Sequence, residues 1–162
     1  MHPMRKQERQ TSEEVAFEIL ANSEYAVLCT LNEADGSPYG VPLSLVVQDK
    51  VIYMHGALEG HKLENLRHDP RVCVTCVGRT QPYPMQFSTD YESVIATGTA
   101  QIVTDREEKI QAMTVFCQKY SPMMNGEALQ KKLQGGIDRL VVIRIPVDEI
   151  SGKARWRNPP TE

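Results

Sequence analysis

Apolar residues along this chain fall mostly into short period-two runs broken by glycine, proline and small polar residues, and helical spacing shows in only a few places. Tyr25–Leu31 is rich in β-formers and ends at the turn cluster Asn32-Glu33-Ala34-Asp35-Gly36-Ser37-Pro38, so it predicts a first strand. A second resumes at Tyr39 and runs to about Val47. Asp49-Lys50 makes a tight connection, and residues 51–55 return antiparallel as a third strand. Residues 71–77 predict a fourth strand, and residues 78–88 read as a proline-bearing loop. Residues 91–103 predict a long fifth strand in which Gly98 marks a bulge or sharp bend. Residues 139–145 predict a sixth, with the block 140–143 buried on both faces, and residues 148–156 add a final strand.

Helices punctuate this pattern. Thr11-Ser12-Glu13-Glu14 has the form of a capping box, with Thr11 as acceptor, opening a helix through about Asn22 with Val15, Phe17, Ile19 and Leu20 on its apolar side. Residues 61–67 predict a short helix with Leu63 and Leu66 on one face, stopped by Asp69-Pro70. Thr104-Asp105-Arg106-Glu107 is a second capping box, and its helix carries Ile110, Met113, Cys117 and Tyr120 along one side as core packing. Residues 127–133 predict a further helix ended by Gly135-Gly136. Antiparallel strands with helices at the periphery predict a mainly β barrel of about six strands. A doubly wound sheet is disfavoured, because strand-helix alternation and a G-x-G-x-x-G are both missing. One domain is expected over residues 11–156, between a flexible N-terminus at 1–10 and a flexible tail at 157–162.

Length and charge narrow the field. With 162 residues the chain can bury a core without metal or disulfide staples. A net charge of -3 and the lack of any basic block with interleaved aromatics argue against a nucleic-acid surface. Residues 1–10 are polar with no apolar segment behind them, so neither a secretory signal nor a membrane span is expected and the cytoplasm is the expected location. The four cysteines are then expected to be reduced. Cys73 and Cys76 form a C-x-x-C, but inside a strand residues three apart face opposite sides, so buried hydrophobes are expected and not a zinc or redox pair.

The stretch with most chemistry is Tyr53-Met54-His55-Gly56-Ala57-Leu58-Glu59-Gly60-His61-Lys62. A strand ends, a glycine-containing turn follows, and a helix starts near Gly60 and His61, where unpaired backbone N–H groups emerge. That end attracts anions, and Lys62 adds a point charge suited to phosphate. The same residues also fit an ordinary strand-turn-helix connection with a solvated lysine. His55 divides the same way: a neutral imidazole that binds, relays a proton or ligates haem iron, or a strand end held by a hydrogen bond. His61 and His68 lie seven apart on one helix, where spacing of four is the usual metal-binding choice, so no metal site is expected. His2 falls in the N-terminal lead-in.

In order along the chain come Asp35-Gly36-Ser37-Pro38, Val41-Pro42-Leu43-Ser44, Tyr53-Met54-His55-Gly56-Ala57 with Gly60-His61-Lys62, Tyr91-Glu92-Ser93-Val94 with Gly98, and Gly152-Lys153. Together they resemble the pyridoxamine 5′-phosphate oxidase-like split-barrel flavoproteins, and within them the nitroimidazole-resistance (Nim-type) branch. The resemblance implies a six-stranded antiparallel Greek-key split barrel and a homodimer holding FMN between protomers. Val41, Pro42, Leu43 and Ser44 would run along the isoalloxazine edge, His55, Gly56 and Ala57 would border the ring and ribityl chain, and Gly60, His61 and Lys62 would meet the phosphate. Ser93 would reach the phosphate or the partner's flavin, and Trp156 would cover the ring from the other subunit. The classical oxidases carry arginine where Val41 stands and an Arg-Lys pair where His61-Lys62 stands, leaving this chain fewer fixed charges. The implied activity is an FMN-dependent oxidoreductase acting on small molecules such as nitroaromatics, with His55 the candidate catalytic group. Relatives of this fold also bind haem, for which His55 would be the ligand, and a flavin-binding sensor or carrier is the non-enzymatic alternative.

Overall fold

The computed structural model describes residues 3–156, so the expected tail at 157–162 and His2 lie outside the described residues. Seven strands form: β1 (Tyr25–Leu31), β2 (Pro38–Gln48), β3 (Val51–Gly56), β4 (Arg71–Tyr83), β5 (Ser88–Thr99), β6 (Gln101–Ile102) and β7 (Val141–Arg155). Hydrogen-bonded neighbours run β3-β2-β1-β4-β5-β7, and β7 returns to β3, so six strands close into a barrel with β6 as a short addition. The helices are α1 (Glu13–Asn22), α2 (His61–His68), α3 (Arg106–Tyr120) and α4 (Gly126–Gly136). The expected mainly β split barrel is the observed fold.

Several boundaries differ, each for a local reason. The two runs expected at 139–145 and 148–156 are one strand. Pro146 lies where β7 passes from β3 to β5, so a proline that reads as a strand end instead marks a change of partner. The loop expected at 78–88 is largely a two-stranded ribbon. Thr80 pairs with Tyr91 and Tyr83 with Ser88, and Pro82 is tolerated there because a two-stranded ribbon has a free edge. The fifth strand stops at Thr99, since the Ala100 N–H turns away to the Pro70 carbonyl. Both helix caps fall one residue later than expected. Ser12 and Asp105 accept from the N–H groups of Val15 and Glu108, while the Thr11 N–H is taken by the Gly152 carbonyl of β7. Asp49 and Lys50 both have positive φ (49° and 63°), as the tight β2–β3 hairpin requires.

The core has two layers. Inside the barrel, Leu28, Leu45, Ile52, Met54, Val74, Val94 and Ile143 are fully buried, joined by Ala16, Ile19 and Leu20 of α1 and Leu63 and Leu66 of α2. Each buried leucine, isoleucine, valine or methionine among them contributes about 1.5–3 kcal/mol. On the outside, Val46 and Val142 are covered by Ala112, Met113 and Phe116 of α3 and Leu129 and Leu133 of α4. Of the face expected for α3, Met113 is buried, Ile110 and Cys117 are half-buried, and Phe116 takes the central place. The end of α3 is pinned by polar contacts: the Lys119 amine donates to the carbonyls of Ser23 (2.6 Å) and Leu45 (3.0 Å), and the Tyr120 hydroxyl lies between the Glu24 and Leu45 backbones. Cys73 is half-buried and Cys76 buried, on opposite faces of β4, and burial pushes both thiols up, which makes them poor nucleophiles. Among the described residues no helix is long and apolar enough to cross a membrane.

Candidate functional site at the open fork between strands β2 and β3

Strands β2 and β3 pair only from Gln48↔Val51 to Leu45↔Met54. Beyond that rung they part. Residues 38–44 of β2 stay paired to β1, whereas His55 and Gly56 continue along Val142 and Val141 of β7. The result is a fork with Val41, Pro42, Leu43 and Ser44 on one arm and His55 and Gly56 on the other. The side chains of Val41 and Leu43 pack into the barrel core, so what that arm can offer a ligand is its backbone edge and the other face, Pro42 and Ser44.

Helix α2 closes the open end. Gly60 at its N-cap has φ of 130°, a conformation that favours glycine, and no side chain caps the helix. The Gly60 carbonyl accepts from the Leu63 N–H at 2.8 Å. Lys62 turns inward and is half-buried: a Cβ placed on Gly56 would lie 2.9 Å from both its Cε and its Nζ. The amine therefore rests on the bare backbone of Gly56, at the end of β3, a place it would have to leave if that residue carried a side chain. His61 is exposed and packs its ring against Tyr39 at 4.6 Å. Ala57 is exposed in the turn.

The position of α2 depends on Asn65, which the sequence did not single out. Its side chain is fully buried, donates to Thr30 (3.0 Å) and Asn32 (3.2 Å), and accepts from the Glu33 N–H (3.2 Å). Asn32 in turn holds Ser37 at 2.7 Å, tying the β1–β2 turn to the helix. The available signal was a polar residue between Leu63 and Leu66 on the helix's buried side. Asn65→Ala strands three partners and is expected to cost about 2–3 kcal/mol, read as a lower midpoint in urea unfolding.

His55 projects out of the barrel under α3. The Phe116 ring meets it edge-on at 4.6 Å, and its Nδ1 is buried without a hydrogen-bond partner. Burial holds its pKa below the ordinary histidine value, so the ring is neutral near pH 7. Because the unfolded imidazole protonates near pH about 6.5 and the folded one only lower, stability falls as pH drops below that value. His55→Leu should flatten this fall, which unfolding midpoints at neutral and mildly acidic pH would measure.

Two nominated residues lie elsewhere. Ser93 faces Lys153 on β7 whereas Gly56 faces Val141, twelve residues away, a contour of about 40 Å. Ser93 thus pairs with the part of β7 beyond its change of partner, on the β5 side of the barrel and not on either arm of the fork. Trp156, just past β7, stacks under Arg79 at 5.2 Å, and its side chain helps hold the Glu92 carboxylate in its charged form. Arg79 grips Glu92 bidentately through one guanidinium edge, Nε and Nη2 each donating to one carboxylate oxygen at 3.1 Å. Burial raises the Glu92 pKa, but the Arg79 hydrogen bonds outweigh it and leave the carboxyl below its ordinary range. A cavity of about 940 Å³ lies beside this pair, between α1, the start of β1 and β4. It contains none of the fork residues and adjoins them only through the β1–β2 ladder, where Tyr25 faces Ser44 and Val27 faces Pro42.

The family model described as pyridoxamine 5′-phosphate oxidase matches residues 12–154. The chain belongs to the pyridoxamine 5′-phosphate oxidase family. No curated protein matches it. Solved structures with the same fold include a proposed 5-nitroimidazole antibiotic resistance protein from Bacteroides thetaiotaomicron (21% identity, TM-score 0.74, covering 94% of this chain and 95% of that one). The conserved hypothetical protein Rv2991 from Mycobacterium tuberculosis is similar over 99% of this chain and 96% of its own, at 20% identity and a TM-score of 0.81. The FAD and haem binding protein from Mycobacterium smegmatis matches over 95% of this chain and 77% of that one, at 16% identity and a TM-score of 0.72. For this member of the pyridoxamine 5′-phosphate oxidase family, identities this low establish the shared fold.

Proposed function

We propose that the fork binds FMN and that the protein is a flavin-dependent oxidoreductase acting on small molecules, nitroaromatics among them. The carrying observation is the Lys62 amine folded over Gly56 beside an N-terminus that no side chain caps. A bare glycine, an inward amine and free helix amides fit one terminal phosphate. His61 lies at the same helix end. Along the fork, the backbone of Val41, Pro42, Leu43 and Ser44 would hold the polar edge of the ring, and His55, Gly56 and Ala57 would border the ring and ribityl chain. FMN, when bound, supplies reversible electron transfer. With Nδ1 buried, the neutral His55 ring would have Nε2 as the atom with which to hold or move a proton. Ser93 and Trp156 serve a site only from a second protomer, in keeping with a homodimer. The outer sheet face carries Tyr25, Val77 and Ile95 exposed, a surface suited to such pairing.

Native purification followed by an absorbance scan tests this, with flavin bands expected and bleached by a nicotinamide donor, then restored by a nitroaromatic acceptor. A colourless protein that takes up no added FMN contradicts it. Bound flavin that no donor reduces would indicate a sensor or carrier. Haem ligation by His55 draws support from the FAD and haem binding relative. A haem Soret band lost in His55→Ala would favour that alternative.

A further inference from the structure

The β4–β5 ribbon leaves the barrel carrying two large, strongly exposed apolar side chains, one of them, Phe87, the most exposed among the described residues. Past the register shift between Val77 and Thr80, Tyr91 still pairs with Arg155 of β7, and three further rungs ending at Tyr83↔Ser88 carry the ribbon outward by roughly 10 Å. At its tip Met85 is 88% exposed and Phe87 99% exposed. Residues 80–89 contain two prolines and no charged residue. Charge depletion with exposed methionine and aromatics is the composition of an interface core, not of a solvated hairpin.

The same chain also carries a hole. The 940 Å³ cavity is walled by Val15, Ile19, Tyr25, Val27 and Val77, and its rim is polar, with Glu18 and Arg79. The ribbon cannot fill its own cavity: Val77 and Arg79 lie at the ribbon's root and in the cavity wall, and the paired rungs hold the tip away. A knob and a hole on one chain that cannot meet within it are satisfied by exchange between two copies. Reciprocal exchange gives a closed two-fold pair with no free knob left to propagate. Prolines at 82 and 84 stiffen the arm and lower the entropy lost on docking.

We infer that the β4–β5 ribbon is a dimerisation arm, its Met85 and Phe87 seated in the α1–β1–β4 cavity of a second copy of this chain. This deepens the homodimer put forward above and rests on it. The test is the Met85→Asp/Phe87→Asp double variant, compared with the unaltered protein by sedimentation across a dilution series, with circular dichroism and flavin uptake recorded alongside. Both positions are solvent-exposed in the single chain, so folding should be retained while the dimer weakens by about 30-fold or more. Independently, a Phe87→Cys chain mixed with a Val15→Cys chain should form a disulfide on adding oxidised glutathione, each linked pair losing two protons and two electrons to that oxidant. A folded double variant that stays as dimeric as the unaltered protein, or mixed chains that never join through positions 87 and 15, would overturn the arm. If flavin uptake survives either result, the FMN assignment stands without the arm. If the double variant dissociates while the unaltered protein takes up no flavin, the arm stands and the FMN assignment falls.

Discussion

Gly98→Val is expected to destabilise the protein by about 3 kcal/mol, enough to displace the urea midpoint strongly and to abolish near-ultraviolet circular dichroism at modest denaturant. Gly98 sits at a register shift in β5, opposite the point where β7 changes partner. A Cβ there would overlap the Pro146 carbonyl oxygen and lie 3.0 Å from the Ile145 Cγ2. Both obstacles belong to β7 itself, and the carbonyl cannot swing aside as a flexible side chain can. Widening the gap would break the ladder that closes the barrel. Unfolding at the unaltered midpoint would show that the strands can separate there at little cost.

Lys62→Ala is expected to weaken FMN binding by about 10- to 100-fold while leaving stability nearly unchanged. The lysine amine is the nearest cation to the bare backbone of Gly56, and a charge-assisted hydrogen bond to phosphate is worth roughly 1.5–3 kcal/mol. The helix N–H groups would remain, which is why binding is weakened and not abolished. Fluorescence quenching of FMN on titration measures this directly. An unchanged dissociation constant would mean that the amine plays no part in holding the ligand.

Local chemistry made much of the barrel legible in the sequence. Tyr25–Leu31 alternates cleanly because one side faces the core, and Asp49-Lys50 could only be a hairpin turn. Gly98 announced its bend because a glycine in a strand has few other uses. What failed did so where tertiary partners override local signals. Pro146 and Pro82 read as breaks, but one marks a change of partner and the other lies on a ribbon edge. The fork was half visible: the glycines and Lys62 could be placed at a helix start, but where β2 and β3 separate is a pairing decision that no single strand encodes. Asn65 and Phe116 escaped because the contacts that matter are distant in sequence: the Asn65 partners lie at least 32 positions away, and His55 lies 61 from Phe116.

The central claim is that the corner formed by Gly56, Gly60 and Lys62 holds the terminal phosphate of a flavin. The most direct measurement compares the dissociation constants of FMN and riboflavin, which differ only by that phosphate, for the unaltered protein and for Lys62→Ala. The account predicts that FMN binds the unaltered protein at least about tenfold more tightly than riboflavin and that most of this preference vanishes in the variant. Equal affinity for the two flavins, or a preference for FMN that survives loss of the lysine intact, would contradict it.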